Sequence, residues 1–155
     1  MKEKKYEIAC NNLYMVIDIA IQSIKKYPPK RWDIKTLNHI LDVYNGFREI
    51  RMNAEPKFQT LSSLKYDYEN VFTYFQESAG EDVEEFWKRI KESDLPFKRE
   101  NKLGKILKRK KINNDIEFDF VTDVILPYLQ DGLINEEESI LLKQYIGDFE
   151  HKRKK

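Results

Sequence analysis

Residues Tyr6 to Tyr27, YEIACNNLYMVIDIAIQSIKKY, decide the fold class. Tyr6, Cys10, Leu13, Ile17, Ala20, Ile24 and Tyr27 recur at intervals of three and four, with Asn11, Asp18, Gln22 and Lys25 between them. That is the pitch of a helix with one apolar stripe and one polar face. The most apolar part, Leu13 to Ile24, is interrupted by Asp18, Gln22 and Ser23 and is shorter than the roughly 20 apolar residues a membrane span needs. It reads as a core helix, ended by Pro28 and Pro29, which have no N–H to continue the ladder.

The same spacing continues towards the C-terminus. Asp33 stands as an N-cap before Ile34, Leu37, Leu41, Tyr44 and Phe47, with Gly46 a local weakness and Pro56 a later boundary. Ser62 or Ser63 is expected to cap a third helix carrying Leu64, Tyr68, Val71, Phe72 and Phe75 to a stop near Gly80. Glu81, Asp82, Glu84 and Glu85 then load a helix start where the dipole favours negative charge, and Val83, Phe86, Trp87 and Ile90 form its stripe. Leu103, Ile106 and Leu107 give a weak fifth helix, with Gly104 inside it at a cost of about 1 kcal/mol against Ala.

Asn114 and Glu117 have the spacing of a capping box and open a sixth helix that turns Val121, Val124, Ile125 and Tyr128 inward, with Pro127 expected to kink or end it. Ile116 to Phe120 also alternate strictly, so a short strand is the competing reading there. Helical spacing through Val124, and the lack of a second alternating run to pair with, favour the helix. Asp131 and Gly132 make a turn, Asn135 caps a seventh helix, and Leu142, Tyr145, Ile146 and Phe149 face inward from it.

Composition agrees with this reading. Nine Tyr, nine Phe and two Trp supply the bulky groups that a disordered chain lacks. Five Gly and five Pro are too few for an all-β chain that turns every eight to twelve residues or so. The expected fold is an all-α, single-domain irregular bundle of six to seven helices over residues 1–150, followed by a basic tail, 151–155, that should fray. Cys10, the only cysteine, excludes an internal disulfide and a cysteine-rich zinc site. It is expected to be a packed thiol. With no membrane span and no signal-peptide pattern, a cytoplasmic location is the simplest expectation. The abundance of Lys, Ile and Asn suggests an AT-rich, bacterial coding sequence.

Charge is nearly balanced overall but segregated late in the chain. Residues 98–111 carry eight basic groups against one acidic, and 112–150 carry one basic against ten acidic. Lys102, Lys105, Lys108 and Arg109 would line one side of the fifth helix and could neutralise phosphates, which makes nucleic-acid binding through 98–111 the first alternative function. Against it, the acidic segment beside them would repel a nucleic-acid backbone, so a solvated face answered by those acids is the simpler reading.

Asp115, Glu117, Asp119 and Asp123 could bind a hard cation or act as a carboxylate-based enzyme site, the second alternative. Their spacing is unspecific, and acids gathered at a helix start are ordinary dipole complementation, which is the favoured reading. Two distant histidines, His39 and His151, with one cysteine leave no transition-metal set. No phosphate-cradling glycine loop, nucleophile elbow or paired-histidine motif occurs. No cofactor and no metal are therefore expected.

Tyr14, Trp32, Tyr66 and Tyr74 lie off or at the edge of the apolar stripes, and spare aromatics are the usual anchors of protein interfaces. They could equally widen the core. The leading expectation is a non-enzymatic protein-binding module, such as an adaptor, antitoxin or immunity-type inhibitor. Its protein partner would be met through Trp32, Tyr66, Tyr74, Asp119 and Asp123.

Overall fold

The structure, a computed structural model, describes residues 2–154, with side chains from residue 4. Among the described residues there are seven α-helices, one 3₁₀ turn and no strand. The order is α1 (Lys2–Lys26), α2 (Ile34–Met52), the 3₁₀ turn Pro56–Phe58, α3 (Leu61–Glu77), α4 (Glu81–Glu92), α5 (Gly104–Arg109), α6 (Asp115–Gln130) and α7 (Glu136–Arg153). The all-α class expected from the periodicity is what is found. No described helix is long and apolar enough to cross a membrane.

The chain gathers into two compact units, Met1–Lys98 and Arg99–Lys155. No Pro-, Gly- or Ser-rich linker marks this point in the sequence, where a single helical domain over 1–150 is the expectation.

In the first unit α1 is central and packs against α2, α3 and α4. Leu13, Val16, Ile17, Ala20 and Ile24 are fully buried, and Cys10 is buried beside them. Against this stripe lies an aromatic layer. The Phe75 and Phe86 rings stack with centroids 3.8 Å apart and planes 10° from parallel, and Phe72 stacks on Trp87 at 5.8 Å. The polar tips of these rings are not left dry. Trp87 Nε1 donates to the Phe75 carbonyl at 3.0 Å, Tyr44 donates to the Val71 carbonyl at 3.1 Å, and Tyr68 donates to the Ala9 carbonyl at 2.5 Å. Burial pushes the Tyr68 hydroxyl up to about 12, so it remains a donor throughout the neutral range.

The caps explain where most helices begin. Asp33 accepts from the Thr36 N–H at 2.7 Å, as expected. The third helix is capped by Thr60, not by Ser62 or Ser63. Thr60 has extended backbone and its hydroxyl accepts from the Ser63 N–H at 3.1 Å, whereas the two serines already lie within the first turn. Gly80 precedes α4 at φ 139°, a left-handed conformation open to glycine, and a Cβ there would stand 3.0 Å from Asp82 Oδ1.

The second unit is built from α5, α6 and α7, whose inward residues include Ile106, Val121, Val124, Tyr128, Leu142 and Tyr145, with Leu103 buried just before α5. Gly104 is the first residue of α5, not an interior one, which removes most of its expected cost. Asn114 accepts from the Glu117 N–H at 2.8 Å, but the Glu117 carboxylate turns to the Asn113 N–H, so only half of the capping box forms. Residues 116–120 lie inside α6, which decides against the strand. Pro127 does not end α6, which runs three residues further to Gln130. A proline in a last turn deletes one hydrogen bond, and buried Val124, Ile125 and Tyr128 hold the turn in place. Gly132, at φ 75°, reverses the chain, and Asn135 with Glu138 forms a complete capping box at α7.

Candidate functional site: an arginine-braced apolar corner

Arg51 lies in the last turn of α2 and is buried. A guanidinium removed from water is costly unless its donors are met, and here they are. Nε donates to Asp67 Oδ2 at 2.6 Å, Nη1 to the Phe58 carbonyl at 2.7 Å and to the Tyr6 hydroxyl at 3.2 Å, and Nη2 to Ser63 Oγ at 2.9 Å. Burial alone would lower the Arg51 pKa, and the bonds to Asp67 and Tyr6 more than reverse this, so the charge is permanent. One side chain thus ties α1, the end of α2, the 3₁₀ turn and the start of α3 together.

That brace fixes what surrounds it. Ile50 and Met52 flank Arg51 in sequence. Phe58 supplies one of its acceptors, and Leu61 and Tyr66 neighbour two more, Ser63 and Asp67. All five side chains are exposed, Ile50 at 67% and Tyr66 at 69%. Among the described residues of the first unit, nine large apolar or aromatic side chains are exposed, and five of them fall within 50–66. Exposed apolar groups scattered singly need no explanation, but this concentration does. Charged Glu49, Glu55, Lys57, Lys65 and Glu69 are interspersed with them, the Lys57 ammonium standing 5.0 Å from the Phe58 ring centroid. Exposed apolar and aromatic residues interspersed with charges of both signs are the composition of a protein-binding surface.

The residues singled out from the sequence fall in different places. Trp32 and Tyr74 come together, with ring centroids 5.5 Å apart, but both are half-buried against the core of the first unit. The Tyr74 hydroxyl donates to Asp82 Oδ2 at 2.5 Å and accepts from Arg31 Nη2 at 3.4 Å, while the Arg31 guanidinium lies 5.4 Å from the Trp32 ring centroid. Burial pushes the Asp82 carboxyl up and the Tyr74 bond opposes it. Burial and Asp82 together push the Tyr74 hydroxyl up. This cluster fastens the turn after α1 to the start of α4. Tyr66 is exposed at the braced corner, and Asp119 and Asp123 are exposed on α6 in the second unit.

Of the basic candidates, Lys102 pairs with Glu100 at 3.1 Å and precedes α5. Arg109 makes two parallel 2.9 Å bonds to Glu117. Lys105 and Lys108 are exposed on α5. Among the candidate carboxylates, Glu117 pairs with Arg109 at 2.9 Å and Asp115 with Arg153 at 3.5 Å. Among the described residues no three His, Cys, Asp or Glu side chains are placed to hold a metal ion.

The Arg109 bonds hold the Glu117 carboxyl below its ordinary range against the opposing effect of burial, and the Asn113 N–H adds to them. A carboxyl depressed in the folded state stabilises it fully above the unfolded pKa and loses that contribution as pH falls through the folded value. Glu117→Gln should therefore lower the urea midpoint of the second unit at about pH 6 and lower it by less at about pH 3. Paired denaturation curves at the two pH values measure this.

Compared with known proteins, the chain matches no family model, no curated protein and no solved structure.

Proposed function

We propose that this chain is a non-enzymatic protein-binding module, of the adaptor, antitoxin or immunity-inhibitor kind, and that it meets its partner through the braced corner at residues 50–66. The observation that carries the reading is the concentration of exposed Ile50, Met52, Phe58, Leu61 and Tyr66 within residues 50–66, in segments that the buried Arg51 ties together. Burying such side chains supplies affinity at roughly 25 cal/mol per Å² of apolar surface, offset by the cost of ordering what binds. The Arg51 network lowers that cost in advance, because the helix end, the turn and the next helix start are already fixed. Tyr66 adds a large contact area on few rotatable bonds, which suits an interface anchor.

Quantitative affinity capture from the source cell tests the proposal. The wild-type chain should retain one protein at near-stoichiometric ratio. The double variant Ile50→Asp/Leu61→Asp, with an unchanged circular dichroism spectrum, should retain at least about tenfold less of it. Equal retention by both forms would remove the corner as the binding surface.

A further inference from the structure

We propose that the end of the second unit at which α5 and α7 finish binds the phosphate backbone of duplex nucleic acid, at a site distinct from the corner at 50–66. Two basic segments distant in sequence meet there on the first turn of α6. Arg109, the last residue of α5, makes its two bonds to Glu117. Arg153, the last residue of α7, reaches Asp115 and lies 5.0 Å from the Phe118 ring centroid and 5.7 Å from that of Phe149. Both arginines are engaged by the fold, but the lysines beside them are not. Lys108, Lys110 and Lys111 at one helix end and Lys152 and Lys154 at the other are exposed, and none forms an ion pair among the described residues. The tail expected to fray instead continues α7 as far as Arg153, whose contacts fix where its lysines stand.

The acids of the 112–150 segment would repel a phosphate backbone only where they surround these lysines. Asp131, Glu136, Glu137 and Glu138 lie at the opposite end of the α6–α7 pair, about 24 Å away at the rise of an α-helix. Asp115 and Glu117, at the basic end, face Arg153 and Arg109. Asp148 and Glu150 precede Lys152 and Lys154 by one turn, and the five lysines outnumber them. Cations at a helix end ordinarily complement its dipole, which acts within the last turn, but Lys110 and Lys111 lie beyond α5. Lys110 also takes φ 66°, the left-handed conformation that favours glycine at a helix end. A lysine in place of the easier glycine is explained by what its charge meets. The rings at this end, Phe118 and Phe149, are half-buried against Arg153 and present no free face for unpaired bases, which points to duplex phosphates and not to single strands. A bilayer surface would need a row of exposed apolar residues beside the cations, whereas Ile116 is the single exposed large apolar side chain in the first turn of α6.

The probe is a fluorescein-labelled DNA duplex of about 20 base pairs, titrated by anisotropy with the full chain. At about 50 mM salt it should saturate with a Kd below about 100 μM, and affinity should fall with a log–log salt slope of roughly −3 to −5. A duplex of unrelated sequence should bind equally. Lys108→Glu/Lys111→Glu and Lys152→Glu/Lys154→Glu should each weaken binding at least about tenfold and flatten the slope by about two. Lys143→Glu, at an exposed position midway along α7, should change affinity less than about twofold. Partial unfolding of a variant lowers the saturable fraction without altering the slope, so the slope separates lost contacts from lost protein. Absence of saturation at about 50 mM salt, affinity indifferent to salt, or intact affinity in Lys152→Glu/Lys154→Glu would overturn the proposal. Tighter binding to phosphatidylcholine vesicles with about one-third phosphatidylserine would also overturn it, by giving these lysines to a lipid surface.

Discussion

Replacing Arg51 by Met should lower the unfolding free energy of the first unit by roughly 3–5 kcal/mol, the range for removing one partner of a buried ion pair. The loss has two parts. Four hydrogen bonds go, and the Asp67 carboxylate, with its side chain only 17% exposed, is left without the guanidinium that offsets its burial. The Phe58 carbonyl, Ser63 and Tyr6 lose the donor that gathers them. The double variant Arg51→Met/Asp67→Leu should recover part of the loss, because it also removes the stranded charge. Urea denaturation of the three chains measures both effects. A cost below about 1 kcal/mol would place Arg51 among ordinary surface ion pairs and would mean that the corner does not depend on it.

Phe75→Ala should destabilise the same unit by about 3–5 kcal/mol, the usual cost of truncating a buried Phe. Phe75 is fully enclosed, stacks on Phe86, meets Tyr74 edge-on at 4.9 Å and lies 6.1 Å from the Tyr44 ring. The cavity would open in the middle of the aromatic layer, where several rings would have to move to fill it. Both tryptophans, Trp32 and Trp87, belong to the first unit, so intrinsic tryptophan fluorescence reads that unit alone. The Phe75→Ala fluorescence midpoint should fall far below the wild-type value. A midpoint unmoved by the substitution would contradict the packing described here.

Most helices were legible because their signals are local. The stripe of α1, the stop at Pro28 and Pro29, and the caps at Asp33, Asn114 and Asn135 depend on residues within a few positions of one another. The choice of helix at 116–120 rested on spacing continued through Val124, and α6 follows it. What was not legible depends on contacts distant in sequence. Trp32 and Tyr74 lie 42 positions apart, and nothing local shows that they would meet and be half-buried with Arg31 and Asp82. The extent of α6 past Pro127 depends on tertiary packing around its last turn. The division at residue 98 coincides with the start of the basic segment, but no Pro-, Gly- or Ser-rich linker marks it.

A lone arginine near a helix end, as Arg51 is, ordinarily reads as surface. A signal was present. Leu37, Tyr44 and Arg51 are spaced by seven, so Arg51 falls on the stripe that Tyr44 buries. A charge on a buried stripe implies partners, and Asp67 and Ser63 stand four residues apart on one face of the next helix. The exposed apolar residues near it were legible only singly, since Ile50 and Met52 end one helix, Leu61 and Tyr66 lie on another, and the Arg51 bonds that tie those segments together are distant in sequence.

Amide hydrogen exchange on the full chain, free and bound to the protein it retains in capture, addresses the binding corner most directly. Slowed exchange upon binding should be confined to backbone within residues 50–66 and its immediate flanks. Protection that leaves 50–66 unchanged and appears instead on the Trp32 and Tyr74 cluster or on the basic segment 98–111 would contradict the proposed binding surface.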